Sequence, residues 1–255
     1  MEATRKQMMA IALARQVEDG KAYIVGTGLP LVGAALAKNT HAPNASLIFE
    51  TALFEGNPQE VPTSVSDLRI TYGCSVLWPQ YRYFGFQSIY SKRGVIAAGF
   101  LGGAQIDPYG NLNSTSIGDY HNPSARFTGS GGANGIANYC NTIIIMKHQK
   151  RRFMEKVDYV TSIGWGDGPD GREKVGLDPD KGPRAVVTEL GVLKFDEKTK
   201  RMYLAEYFPG VTIEEIVENT GFDIDTSRAV ASEVPSDEVL DVLINKVTTD
   251  RKSVV

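Results

Sequence analysis

Apolar residues near the start of the chain recur at helical spacing. Met9, Leu13 and Val17 fall on one face of a helix predicted over residues 4–19, with Gly20 as its stop. Shorter apolar runs follow, bounded by glycine or polar residues, and such runs are typical of buried strands. With a second helix they form the series of strand 22–25, helix 31–38 and strand 46–49. The alternation predicts the α/β class, with an open, mostly parallel sheet flanked by helices.

The rest of the chain repeats this alternation. Thr212 with Glu215 forms a capping-box pattern, and Ser236 opens the last predicted helix, with Val239, Leu240 and Leu243 on one face. The other predicted elements are a helix over 85–92, strands over 95–101, 142–146 and 185–188, and a hairpin of 192–195 with 202–207. Two long glycine-rich stretches lie between them, and long irregular segments in compact domains are usually functional or partner-facing. No repeat, low-complexity segment or linker interrupts the pattern, so one domain over residues 1–255 is predicted.

Composition excludes several classes of function. The 255 residues are 42% hydrophobic and carry a formal net charge of −3, which gives no basic surplus for nucleic acid. Cys74 and Cys140 lie far apart and form no CxxC, so reduced thiols are expected. Apolar runs are shorter than the roughly 20 residues of a membrane helix, and residues 8–14 lead into Arg15 without a signal-peptide cleavage site. We expect a soluble cytoplasmic protein without nucleic-acid or membrane partners.

The stretch SLIFETALFEG, residues 46–56, raises a chemical question. The apolar run Leu47-Ile48-Phe49 predicts a buried strand, yet it ends on Glu50, and a second acid, Glu55, follows. In one interpretation the strand simply ends and Glu50 meets water. In the other, Glu50 is held at the sheet edge to perform chemistry. The window alone leaves both open.

Glycine-rich turns are the next candidates for a ligand site. Gly26-Thr27-Gly28 lies between a strand and a helix, where backbone N–H groups suit phosphate, but the dinucleotide fingerprint needs a glycine at Leu31. A tight turn explains this segment equally well. The run from Gly129 to Gly135 is richer and lets the backbone approach an anion, although it has neither a GK[ST] nor a GxGxxG pattern. A flexible connection is its alternative interpretation.

Metal and hydrolase motifs are not found in the sequence. His41, His121 and His148 are far apart, and no HExxH or GxSxG occurs, so we expect surface or structural histidines and no metal site. A short basic run contains Lys147, Lys150, Arg151 and Arg152. It is typical of a solvated face, with anion recognition as the alternative.

Three blocks, taken with the strand that ends on Glu50, resemble a known family. They are GGAQIDPYGNLNSTSIGDYHNPSARFTGSGGANG (102–135), KRRFMEKVDYVTS (150–162) and LGVLKFDEKTKRMYL (190–204). This order resembles the β subunits of family I CoA-transferases of the glutaconate type. The likeness extends from about residue 8 to the last helix, and it implies the fold of that family, which is similar in both of its subunits.

The resemblance implies a subunit that moves CoA between an acyl-CoA and a carboxylic or dicarboxylic acid such as glutaconate. Glu50 matches the family's nucleophile, which carries CoA as a glutamyl thioester. Gly131 and Gly132 are candidates for oxyanion or CoA-binding donors, and Gln105 and Gly103 are candidates for the pocket. CoA is a co-substrate, no tightly bound cofactor is expected, and activity requires an α-like subunit in a hetero-oligomer.

One departure from the family pattern leaves alternatives open. Members of the glutaconate group carry Glu-Ser-Gly where this chain has Glu50-Thr51-Ala52. Similar folds also serve decarboxylases that lack the glutamate and ring-cleaving hydrolases with their key glutamate on the other subunit. Glu50 favours the transferase. An acyl-CoA hydrolase or ring-cleaving C–C hydrolase subunit, and a non-catalytic partner with a structural Glu50, are the alternatives.

Overall fold

A computed structural model describes residues 3–57, 61–62, 64, 67–79, 81–82, 85, 90–91 and 93–248. The chain divides into two compact units, one of residues 1–100 with 233–255 and one of residues 101–232. The single domain over residues 1–255 stays a prediction.

The first unit is an α/β layer. Its elements are α1 (Arg5–Ala14), β1 (Ala22–Ile24), α2 (Leu29–Lys38), β2 (Ser46–Phe49), β3 (Leu53–Phe54), a 3-10 turn (Leu68–Thr71), β4 (Val76–Leu77), β5 (Ile96–Gly102), which ends just inside the second unit, and α6 (Asp237–Asp241). Strand β1 pairs in parallel with β2 on one side and β5 on the other. Strands β3 and β4 extend the sheet antiparallel beyond β2.

Helix α1 differs from its predicted form. Thr4 and Gln7 form a capping box at its start, but the helix ends at Ala14, so the prediction of a helix to residue 19 is wrong. The chain tightens there because Gln16 N–H donates to the Leu13 carbonyl at 3.1 Å. All residues from 8 to 14 are buried, and a Cβ on Gly33 of α2 would lie 2.6 Å from Leu13 Cβ. Glycine thus permits the close packing of α1 on α2.

Among the described residues, the second unit contains the remaining strands and three helices. Its elements are β6 (Gln105–Ile106), β7 (Leu112–Asn113), β8 (Ser116–Ile117), β9 (Ala125–Arg126), α3 (Ala133–Tyr139), β10 (Thr142–Ile145), α4 (Gly171–Lys174), β11 (Pro183–Val187), β12 (Gly191–Phe195), β13 (Met202–Tyr207), α5 (Ile213–Glu218) and β14 (Val230–Ala231). Strands β10 and β11 are parallel, β12 and β13 add an antiparallel hairpin, and β14 is parallel to β13. Strand pairs β6–β7 and β8–β9 stand apart as small ribbons.

Most predicted elements are confirmed within one or two residues. Strand 46–49 and strand 202–207 match fully, and the side chain of Thr212 accepts the Glu215 N–H as a helix cap. Ser236 caps α6, which continues as a π-helical turn over Val242–Val247. The helix predicted over 85–92 lies mostly outside the described residues. Within the described part of the chain, no helix is long and apolar enough to cross a membrane. The predicted fold class is confirmed.

Candidate active site

Glu50 occupies a three-residue hairpin turn directly after β2. Phe49 pairs with Leu53, and the Ala52 N–H donates to the Phe49 carbonyl at 3.0 Å. Ala52 has φ 62°, so the loop ends on a residue in the left-handed conformation. This arrangement is common in three-residue hairpin loops. Glu50 takes the first position of the turn and is half-buried. The backbone of Glu50 is therefore held in a short, hydrogen-bonded turn.

The glycine turn after β1 leaves the sheet at the same edge. Ile24 pairs in parallel with Ile48, and the Val25 N–H donates to the Ile48 carbonyl at 2.9 Å. Gly28 then adopts φ +82°, and a Cβ built on it would meet nothing within 4 Å. The carboxyl ends of parallel strands are where α/β proteins usually bind ligands. This edge of the first unit thus combines Glu50 with open backbone.

The two residues that depart from the family pattern are both constrained. Ala52 is fully buried, and its left-handed backbone strains any residue with a Cβ. The hydroxyl oxygen of Thr51 is buried and has no hydrogen-bond partner among the residues that the structure describes. A buried polar atom in that state is unfavourable by about 1–3 kcal/mol. The turn that carries Glu50 therefore contains two unfavourable features, the backbone conformation of Ala52 and the buried hydroxyl of Thr51.

Glu55, the second acid, does not share this edge. Its N–H donates to the Leu47 carbonyl at 2.8 Å, so Glu55 lies beside the amino-terminal half of β2. The hairpin separates the two carboxylates, and of these two acids Glu50 stands at the carboxyl end of the strand.

The glycine-rich run is anchored in the second unit. Ser114 Oγ donates to the Gly129 carbonyl at 3.0 Å, and the Gly129 N–H donates to the Ser114 carbonyl at 3.1 Å. Gly131 has φ +49°, and Gly132 follows it as the residue before α3. The segment is therefore an anchored turn that needs glycine, which argues against a merely flexible connection.

Gln105 and Gly103 lie together beside β7. The buried Gln105 Oε1 accepts from Asn113 Nδ2 at 2.7 Å and from the Asp158 N–H at 3.1 Å, while its Nε2 donates to Asp158 Oδ2 at 2.9 Å. A Cβ on Gly103 would lie 3.1 Å from Leu112 Cδ2. These bonds hold the β6–β7 ribbon to residue 158. A ligand contact by Gln105 stays a prediction.

Thr161 joins these two regions, and the sequence analysis did not identify it. Its Oγ1 accepts from the Ser114 N–H at 2.9 Å and lies 2.8 Å from Thr115 Oγ1. Its carbonyl accepts from Asn134 Nδ2 of α3 at 3.1 Å. One threonine thus connects the polar tract after β7 to the helix that follows the glycine turn. No local motif marks such a residue, because its role comes from contacts about 27 and 47 positions away.

Arg172 is the second residue that sequence reasoning missed. Only 1% of it is exposed, and its guanidinium donates to the carbonyls of Ala137 and Asn138 at the end of α3, and to those of Gly164 and Asp178, at 2.9–3.1 Å. Burial lowers the pKa of this group. A cation at a helix C-terminus complements the helix dipole. Arg172 therefore stabilises the C-terminal end of α3, the helix that follows Gly132.

Asp107 closes a buried turn in the same unit. Its carboxylate accepts from the N–H groups of Tyr109 and Asn111 at 3.0 Å and from Asn111 Nδ2 at 2.7 Å. Burial nevertheless raises the pKa of Asp107 to about 6, with these hydrogen bonds acting against it. The residue organises the loop after β6 and carries the clearest pH dependence of the unit.

The histidines and thiols have structural settings. His148 is buried, stacks on Phe153 with ring centroids 4.1 Å apart, and contacts the hydroxyls of Thr188 and Thr220; burial lowers the pKa of its imidazole to about 3. Among the described residues, no cluster of ligating side chains could hold a metal. Cys74 and Cys140 are not joined in a disulfide.

Two arginines of the basic run form hydrogen bonds within the protein. Arg151 Nε and Arg152 Nε both donate to Gln149 Oε1 at 3.2 Å. Arg152 also reaches the Gly103 carbonyl at 3.5 Å. Arg152 therefore supports the loop around Gly103, while Lys147 and Arg151 are exposed.

The structure groups the predicted site residues by unit. Glu50 belongs to the first unit, beside the turn of Gly26 and Gly28. The candidates Gly103, Gln105, Gly131 and Gly132 belong to the second, where the contacts of Thr161 connect their segments.

Comparison with known proteins gives consistent results. The family model described as Coenzyme A transferase matches residues 6–219. The β subunit of glutaconate CoA-transferase from Acidaminococcus fermentans is 56% identical over 94% of this chain and 91% of its own length. In the crystal structure of that enzyme, the matching chain superposes with a TM-score of 0.95 at 53% identity, covering 99% of this chain and 98% of that one.

Two further relatives mark the range of the family. The β subunit of 3-oxoadipate CoA-transferase from Pseudomonas knackmussii is 36% identical over 91% of this chain and 88% of its own. A cholesterol ring-cleaving hydrolase subunit of Mycobacterium bovis is 27% identical over 94% and 93%. The transferases are thus nearer to this chain than the hydrolase is.

Proposed function

The chain belongs to the coenzyme A transferase family, and from that premise we propose that it is the β-type subunit of a CoA-transferase acting on dicarboxylic acids such as glutaconate. The subunit moves CoA from an acyl-CoA donor to a carboxylic acid acceptor. The 56% identity to a glutaconate CoA-transferase subunit supports this substrate class.

The observation that carries the proposal is the position of Glu50. The residue stands at the first position of a tight turn, at the carboxyl end of a parallel strand, next to the open Gly26–Gly28 turn. A glutamate that only meets water at the end of a strand would not require this hydrogen-bonded turn. The hairpin fixes the backbone from which the Glu50 carboxylate extends, and a well-positioned nucleophile is what the attack requires.

The proposed reaction begins with attack of the Glu50 carboxylate on the thioester carbonyl of the donor. A C–O bond forms, the C–S bond breaks, and the products are a mixed anhydride and the CoA thiolate. The thiolate then attacks the glutamyl carbonyl of the anhydride. The donor acid leaves as a carboxylate, and CoA remains as a thioester on Glu50.

The acceptor acid reverses these steps. Its carboxylate attacks the glutamyl thioester, giving a second anhydride and free thiolate. The thiolate attacks the acceptor's acyl carbonyl, so the new acyl-CoA departs and Glu50 is restored. Charge is conserved at each step, since one anion attacks and one anion leaves.

Each tetrahedral intermediate carries an oxyanion that needs hydrogen-bond donors. The proposal assigns this role to backbone N–H groups of Gly131 and Gly132, in the anchored turn before α3. Gly103 and Gln105 shape the CoA-binding wall. The buried bonds of Gln105 to Asn113 and Asp158 keep that wall rigid.

A second kind of subunit completes the proposal. Both transferase relatives are β subunits, and we propose an α-like partner in a hetero-oligomer in the cytoplasm, with this chain acting as one domain. The partner helps to exclude water, which would hydrolyse the anhydride. CoA takes part as a co-substrate, and the scheme uses no tightly bound cofactor.

Covalent trapping tests the proposal. The complex with its α-like subunit is incubated with acyl-CoA without acceptor, and borohydride is then added. Borohydride reduces a thioester but not a carboxylate, so Glu50 should become its alcohol and activity should be lost irreversibly. Mass spectrometry should place the change in the peptide that contains residues 46–56.

Two variants make the test specific. Glu55→Gln should still give the reduced Glu50 peptide, while Glu50→Gln should give none. A complex that transfers CoA yet shows reduction elsewhere, or none, contradicts the nucleophilic role. Release of CoA that does not depend on an acceptor acid would indicate a hydrolase instead.

A further inference from the structure

A cavity of about 580 Å³ opens between α1, α2 and the segment that leads into α6. This volume is typical of small-molecule sites. Apolar side chains from all three segments form part of its lining, among them Ile11, Ala14, Leu36, Pro235 and Val239. Every residue of the lining belongs to the first unit. The cavity is therefore complete within one compact unit.

This cavity lies at the opposite edge of the sheet from Glu50. Helix α2 begins after Gly28, beside the carboxyl ends of the parallel strands, and ends before Asn39, which lines the cavity. Its ten residues span about 15 Å. Asn39 therefore lies near the amino ends of β1 and β2, and a ligand in the cavity is not attached to Glu50.

Two donor side chains of the lining bind carbonyls of the protein. Arg15 Nη2 donates to the Glu233 carbonyl at 3.2 Å, and Asn39 Nδ2 donates to the Ala35 carbonyl at 2.8 Å. Arg15 thus joins the end of α1 to the segment before α6, and Asn39 binds the last turn of α2. Both side chains stabilise the wall of the cavity.

Thr40 and His41, also in the lining, are engaged in the same way. Thr40 Oγ1 donates to the Leu36 carbonyl at 2.7 Å. His41 Nδ1 lies 3.1 Å from Thr40 Oγ1, and His41 Nε2 lies 3.1 Å from the Val17 carbonyl. A carbonyl only accepts, so Nε2 donates to it. Both ring nitrogens of His41 therefore have partners within the protein.

The acceptors of the lining are in a different state. The carboxylates of Glu233 and Glu238 have no hydrogen bond or ion pair among the residues that the structure describes. The C-terminal ends of α1 and α2, capped by Arg15 and Asn39, also face this region. The negative end of a helix dipole favours a positive charge. The groups that remain for a ligand therefore suit a cation that donates hydrogen bonds.

We propose that this cavity binds an organic amine, a ligand with a protonated amino group on an apolar body. The ammonium group lies between Glu233 and Glu238, and its three N–H donors match the carboxylate oxygens. The apolar body packs on Ile11, Leu36 and Val239. An acid in the first turn of a helix, such as Glu238, also stabilises that helix. Glu233 precedes the helix cap and has no such role.

Three probes of equal length test the proposal. The full chain is titrated at neutral pH with hexylamine, 1-hexanol and hexanoate, and binding is followed by NMR chemical shifts and calorimetry. Hexylamine should bind saturably, with a Kd of about 1 mM for so small a ligand. Hexanol should bind at least about tenfold more weakly, and hexanoate should not bind. Glu50→Gln should bind hexylamine as wild type does, because the cavity is at the other edge of the sheet.

Variants locate the site on the protein. Glu233→Gln and Glu238→Gln should each weaken hexylamine binding about threefold, and the double variant about tenfold, since exposed ion pairs are modest. Asp237→Asn is the matched control, because Asp237 is an exposed acid in the same helical turn but outside the lining; it should change binding less than about twofold. Val239→Trp should fill the cavity and abolish binding. Circular dichroism checks the folding of each variant.

Several outcomes would overturn the amine site. Equal affinity for hexylamine and hexanol would show a purely apolar cavity, and stronger binding of hexanoate would assign the cavity to an anion through Arg15 and His41. Unchanged hexylamine binding in the double variant of Glu233 and Glu238, or in a folded Val239→Trp, would place the amine elsewhere. Absence of saturable hexylamine binding by wild type would reject the site. None of these results depends on CoA transfer, so the proposed function is tested separately.

Discussion

The Ser46 hydroxyl donates a hydrogen bond of 3.2 Å to the Glu55 carboxylate, nine residues further along the chain. The Ser75 hydroxyl donates to the other carboxylate oxygen. Ser46 opens β2 and Glu50 follows its last residue, so the two acids stand at opposite ends of a strand about 13 Å long. Glu55 is engaged by two serines at one end, and Glu50 stands at the end where chemistry is expected.

The first prediction separates these two acids kinetically. Glu50→Asp keeps the charge but withdraws the oxygen by about one methylene, and we expect kcat to fall about 10²-fold. Glu55→Gln should leave kcat within about threefold, since its amide oxygen can still accept from one serine while its NH2 group donates to the other hydroxyl. CoA transfer by the complex is the measurement, with folding checked by circular dichroism. Equal losses in both variants would contradict the assignment.

The second prediction concerns the left-handed turn residue. Ala52→Gly relieves about 1 kcal/mol of backbone strain, but loses about 0.8 kcal/mol of buried methyl and gains freedom in the unfolded chain. The free energy of unfolding should therefore change by less than about 1 kcal/mol. Ala52→Val, β-branched at positive φ, should lose more than about 2 kcal/mol.

A matched control exists at Ala42, which is also fully buried but has no positive φ. Ala42→Gly loses its methyl without relief of strain and should be more destabilising than Ala52→Gly. Urea unfolding of the three variants measures the difference. The reverse order would show that the turn at Ala52 stores no strain.

The third prediction concerns the buried guanidinium. Arg172→Met leaves four carbonyls without their donor, so the free energy of unfolding should fall by at least about 3 kcal/mol. In Arg172→Lys the free energy of unfolding should fall by less, because the ammonium group still donates to some of these carbonyls. Arg151→Met, at an exposed arginine with one bond to Gln149, should stay within about 0.5 kcal/mol. Denaturant unfolding tests this, and a loss at Arg151 as large as that at Arg172 would contradict it.

The fourth prediction concerns pH. The folded-state pKa of Asp107 is raised to about 6 from 3.8, so the folded protein binds this proton more tightly than the unfolded chain does. The resulting stabilisation is complete below about pH 4 and is lost as pH rises through about 6. The shift corresponds to about 3 kcal/mol at most.

Asp107→Asn removes this titration. The free energy of unfolding of wild type, relative to that of the variant, should therefore decrease as pH rises from about 4 to 6.5. At higher pH this difference should stay constant. Unfolding is followed by urea titration at several pH values. A difference that does not change with pH would show that Asp107 is not desolvated.

Local sequence determined much of this protein. Apolar runs specified β2 and the β12–β13 hairpin, Thr212 and Ser236 marked two helix starts, and the run Leu47–Phe49 placed Glu50 directly after a strand. These features depend on neighbours a few residues away, so periodicity and capping chemistry are enough to predict them. The long central block identified the family by resemblance, and only that resemblance marked Glu50 as the candidate nucleophile.

Tertiary structure decided the rest. Ser46 and Ser75 donate hydrogen bonds to Glu55. Arg172 donates to carbonyls at the end of α3, and Thr161 connects α3 to the polar tract after β7. Each depends on residues far apart in sequence, and no local pattern encodes such meetings. The left-handed Ala52 follows the same rule, because the pairing of Phe49 with Leu53 outweighs the local preference of alanine for negative φ.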